Sequence, residues 1–143
     1  MPTTKQTQRP ASRAQVQALI VQFARLALDG DPRACDPFGR VLADDRDGRL
    51  EWARRWLGIK RLESMNELTA LQAQYLLDRL AGTETKLDAE LRRQFERLGI
   101  RLPSAWFDEF RFSNRNRFKW GVVALSQLNR WQQWELLGVL KAR

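Results

Sequence analysis

The ten residues Arg111-Phe112-Ser113-Asn114-Arg115-Asn116-Arg117-Phe118-Lys119-Trp120 hold four cations, no anion and three aromatic rings. Arg111, Arg115, Arg117 and Lys119 are the side chains that would neutralise phosphates. Ser and Asn can donate to phosphate oxygens, and an exposed ring can stack on a base. The same residues also fit a corner between two helices, with Phe and Trp packed inward and the cations solvated. For the rings the inward packing is the better reading; for the charges the two readings are balanced. A second cationic group, Arg54, Arg55, Lys60 and Arg61, surrounds Leu57-Gly58-Ile59.

Other chemistry is hard to assemble from this chain. It has no histidine, which removes the usual general base, the usual zinc ligand and any Ser-His or Cys-His pair. No glycine spacing fits a phosphate-cradling loop. Asp44-Asp45-Arg46-Asp47-Gly48 looks like a calcium loop. With Gly48 at the invariant glycine, however, Ala43 and Arg54 would occupy two ligand positions, so a solvated acidic turn is expected. Asp108-Glu109 reads as surface charge balancing arginine, and the single Cys35 as a small apolar residue that excludes an internal disulfide. A non-enzymatic protein without cofactor or metal is expected.

Lys and Arg number 25 against 17 Asp and Glu in 143 residues, a formal charge of +8. That balance favours a polyanionic partner, most often nucleic acid. Hydrophobic residues make up 43% and include six Trp, enough for a folded core. No apolar run is long enough for a membrane span, and no signal-peptide pattern opens the chain, so a cytoplasmic location is expected.

The elements that would position these groups are helices throughout, because no segment alternates for long with period two. Residues 1–11 lack apolar periodicity and read as a flexible basic tail. Ser12 with Gln15 forms a capping box opening a helix to about Leu28. Asp36-Pro37 signals a short helix through about Ala43, and Leu50 to Leu57 another, closed by Gly58. Thr69 with Gln72 caps a helix that ends at Gly82. Thr85 then starts one that stops at Gly99, and Pro103 opens the next. Phe118, Val122 and Leu125 mark one more helical face before a last helix capped by Asn129. With Trp131, Trp134, Leu136, Leu137, Val139 and Leu140, that helix is apolar almost all round, as for a helix at the centre of its domain.

One pattern recurs at a spacing of sixty. Leu68, Gln72, Leu76, Leu77 and Leu80 return as Leu128, Gln132, Leu136, Leu137 and Leu140, and Leu-Gly-Ile occurs at both 57–59 and 98–100. Reuse of caps and leucines by a helical protein explains this as well as internal duplication does. The expected fold is therefore an all-α compact bundle of six to eight short helices in residues 12–143. Two related halves, 12–82 and 83–143, are an open alternative.

The segment from Ala14 to Gly82 resembles small helical domains of phage DNA-metabolism proteins, notably the Mu-type GemA family. The features that carry the resemblance are Val16-Gln17-Ala18-Leu19-Ile20, the helix containing Trp52, and the run Leu57-Gly58-Ile59 through Leu68-Thr69, Gln72-Ala73 and Leu76-Leu77 to Leu80. The resemblance implies an accessory protein of a phage or mobile element that acts near DNA without enzymatic activity. Combined with the charge, it leads to a nucleic-acid-associated accessory protein that contacts the DNA or RNA backbone, as a small helical subunit of a nucleoprotein complex. The alternative is an adaptor or inhibitor that binds a host or phage protein through its helical surface.

Overall fold

Two local rules account for the helix at Arg13–Leu28, here α1. The Ser12 hydroxyl accepts the Gln15 N–H and the Gln15 side chain accepts the Ser12 N–H, so two backbone donors that lack intrahelical partners are satisfied. Leu19, Phe23 and Leu26 then fall on one buried face. In the computed structural model, which describes residues 9–35, 41–121 and 124–143, five further α-helices follow. These are α2 (Arg46–Leu57), α3 (Ala70–Ala81), α4 (Lys86–Arg97), α5 (Pro103–Ser113) and α6 (Arg130–Lys141). Among the described residues the fold is all-α, with no named strand.

The chain divides between Thr85 and Lys86 into two units, each with three α-helices. In the first, α1 packs along α3, and the Phe23 ring meets Trp52 of α2 edge-on at 5.1 Å. In the second, α4 packs along α6 over a core of Leu91, Phe95, Phe107, Leu136, Leu137 and Leu140. Both end alike, with a second helix, a connection ending in a 3-10 turn and a capped third helix, whereas the first unit alone has 3-10 turns, Pro32–Ala34 and Leu42–Asp44, between its first two α-helices.

The spacing of sixty holds in the backbone as well as in the sequence. The 3-10 turns are Met65–Glu67 and Leu125–Gln127, followed by Leu68 and Leu128, both fully buried. Thr69 and Asn129 share φ −78°, with ψ 163° and 176°. Thr69 accepts the Gln72 N–H at 3.1 Å and Asn129 accepts the Gln132 N–H at 2.8 Å, each with the reciprocal bond at 2.9 Å. Thr69→Ala and Asn129→Ala should therefore each lower stability by about 0.5–2 kcal/mol in denaturant unfolding. Loss at one site alone would show that the two caps are not equivalent.

The far ends of the third helices match too. Arg33 donates through Nη1 to the Leu80 carbonyl at 2.9 Å, and Arg97 through Nη2 to the Leu140 carbonyl at 2.9 Å. Each cation thus satisfies a carbonyl at the negative end of a helix. Glycine suits position 82 for its backbone, and any side chain there would also displace the Arg33 guanidinium. The φ of Gly82 is +72°, and a Cβ would lie 2.6 Å from Nη1 of Arg33. Asp31 holds that guanidinium through both carboxylate oxygens, and these hydrogen bonds keep its carboxyl below the ordinary range.

Several expectations are corrected. α2 starts at Arg46, four residues earlier than its apolar pattern suggests, because Asp45 accepts the Gly48 N–H and caps it. The acidic turn is thus partly helix. The helix expected from Asp36-Pro37 falls mostly outside the described residues, and Leu42–Asp44 is a 3-10 turn. Among the described residues, Phe118 to Gly121 are not helical. Gly121 takes φ +68° there, and Val122 and Val123 lie outside the described residues. Arg9 to Ala11, read as part of the tail, run beside Leu68 to Ala70. Ala11 donates to the Leu68 carbonyl, and Ala70 donates to that of Arg9. No helix among the described residues is long and apolar enough to cross a membrane.

Candidate nucleic-acid interface

Both cationic groups fall in the same place in their units, at the end of the second helix and in the connection to the third. In the second unit that connection is built on rings. Phe107 and Phe110 of α5 are buried, Phe107 stacks on Trp120 at 5.9 Å, and Trp120 meets Phe118 at 4.9 Å. Two polar bonds tie the segment to α6. Gln132 Nε2 donates to the Trp120 carbonyl at 3.1 Å, and Trp120 Nε1 donates to Glu135 at 3.3 Å. Gln132 therefore serves two ends at once, closing the cap of α6 and fixing the back of the basic connection.

At the front of this ring stack lies an open groove of about 520 Å³. Arg111, Arg115 and Lys119 line it together with Phe112, Phe118 and Trp120, and no carboxylate among the described residues does. At the end of α5, Asn114 donates from both its backbone and side-chain N–H to the Phe110 carbonyl, and Arg115 Nη1 donates to that of Phe112 at 2.8 Å. These bonds quench the negative helix end, which would otherwise repel an anion. Arg115 retains further donors, because a guanidinium carries five N–H groups.

Arg111 is half-buried, and its Nε is a buried donor with no hydrogen-bond partner among the described residues. The Arg115 guanidinium sits 4.7 Å from the centre of the Phe112 ring, and that of Arg117 4.9 Å from Phe118. Arg115, Arg117 and Lys119 are exposed and form no ion pair among the described residues. The fold thus gathers Arg111, Arg115 and Lys119 at one groove and leaves Arg117 beside it.

The first connection is less uniform. Arg54 is half-buried and donates to the Leu62 carbonyl at 2.9 Å, which holds the loop after α2 in place. It is a loop clamp, a role that the sequence reading of a four-cation surface group did not give it. Arg55, Lys60 and Arg61 are exposed.

Two features of the second unit depart from the sequence reading. Phe112 is 69% exposed, unlike the other rings of its stretch. A helical projection contains the signal, since Phe107 and Phe110 define the core side and Phe112 lies about 200° from Phe110. Trp131 and Trp134 are 60% and 54% exposed, one turn apart on α6. The last helix is therefore buried on one side only, through Gln133, Leu136, Leu137 and Leu140, and is not apolar-packed all round. Comparison with known proteins adds no assignment to this geometry: no family model matches the chain, and neither a curated protein nor a solved structure does.

Proposed function

We infer that this protein is a non-enzymatic, nucleic-acid-associated accessory protein that contacts the sugar-phosphate backbone through its basic connections. The carrying observation is the groove lined by Arg111, Arg115 and Lys119, with no carboxylate among the described residues of its wall. Exposed cations at the equivalent connection, Arg55, Lys60 and Arg61, add a second surface of the same sign. The formal charge of +8 supplies the long-range attraction that such binding needs. The phage or mobile-element setting, within a larger nucleoprotein complex, rests on the GemA-like pattern of residues 14–82.

A gel-shift series with single-stranded DNA, duplex DNA and RNA tests this reading. Retarded complexes are expected at low salt, disappearing as salt is raised. No retardation of any of the three at low salt would refute it. The second reading, an adaptor for a host or phage protein, is favoured by the exposed Trp131 and Trp134, since tryptophan anchors protein interfaces. It expects weak nucleic-acid binding from the outset, with partner capture intact when the groove cations are removed.

A further inference from the structure

We propose that the groove at the end of α5 is a single-strand site, in which one unstacked base lies on Phe112 while the neighbouring phosphate is held by Arg111, Arg115 and Lys119. This rests on the nucleic-acid reading above and narrows it to a substrate class. Phe112 is 69% exposed although its helix buries Phe107 and Phe110, so it contributes little to the core. An arginine over a ring covers one of its faces, and Arg115 does so here at 4.7 Å, leaving the other face to a ligand. A base inside a duplex has both faces already stacked and cannot use that surface, whereas a base in a single strand can.

The cations complete the match. They line the same groove as Phe112, whose volume of about 520 Å³ falls within the range of small-ligand sites and suits a concave pocket for one residue of a strand better than a track for a rigid duplex. Arg111 lines the groove as well, and a guanidinium offers charged N–H donors in a fork that suits phosphate oxygens. Gln132 and Glu135 hold Trp120 from α6, so that wall of the groove is fixed before a strand arrives.

Fluorescence anisotropy with three labelled probes of equal length tests the proposal: an oligothymidylate strand, an abasic strand of the same backbone, and a duplex. Wild type should bind the oligothymidylate most tightly. Phe112→Ala should weaken that binding about five- to 150-fold, leave the abasic strand nearly unaffected and leave the salt slope unchanged. Circular dichroism should show an unaltered helix content, because Phe112 is exposed. If all three probes bind wild type alike and Phe112→Ala is neutral, the stacking site is wrong and backbone binding stands. If no probe binds, both readings fall.

Discussion

Leu136→Ala is expected to destabilise the protein by about 2–5 kcal/mol, and Leu76→Ala by a similar amount. Both side chains are fully buried, and both stand at the same position on the third helix of their unit, seven residues after its cap. Removing the isobutyl group forfeits its transfer free energy and leaves a cavity that a packed helix pair fills only in part. Leu80 and Leu140, 1% and 0% exposed, should behave as a matched pair in the same way. Denaturant unfolding of the single variants gives the comparison. A near-neutral Leu136→Ala would remove the last helix from the core and with it the equivalence of the two units.

Replacing Arg115, Arg117 and Lys119 together by alanine should affect binding strongly and folding little. Each phosphate contact releases condensed counterions, with a log–log salt slope of about −0.7 to −0.9 per contact. Three contacts account for roughly 10²-fold in affinity at 0.1 M salt, lost similarly for all sequences because the phosphate backbone is common to them. The three side chains are exposed and outside any ion pair among the described residues, so their removal forfeits only the Arg115 bond to the Phe112 carbonyl and two exposed ring contacts, about 1–3 kcal/mol in all. Arg111→Ala is a poor substitute for this test, because its stem is half-buried beside the ring stack.

The parts of the fold legible in the sequence were those fixed by local bonding. Thr69 with Gln72 and Asn129 with Gln132 state their capping boxes in four residues, and the glycines at 58, 82 and 99 take the positive φ that ends a helix. Parts fixed at long range were not legible. Nothing near Leu80 in sequence announces that Arg33 will bond its carbonyl, nor near Leu140 that Arg97 will. The same limit applies to the site. Arg54 and Arg55 are adjacent and chemically alike, yet one clamps the Leu62 carbonyl and the other is exposed, a difference set by which side of α2 faces the loop. For α6, abundance of apolar residues suggested burial all round. Its packing against α4 takes only one face, which leaves Trp131 and Trp134 outside it.

The central claim, binding to a nucleic-acid backbone through the cations of the connection after α5, is tested most directly by the salt slope. The dissociation constant for a labelled single strand should be measured for wild type and for the Arg115/Arg117/Lys119 triple alanine variant from low to moderate salt. The account predicts a steep wild-type slope that flattens by roughly 2–3 units in the triple variant, with the fold retained. A folded variant with the wild-type affinity and slope would contradict it.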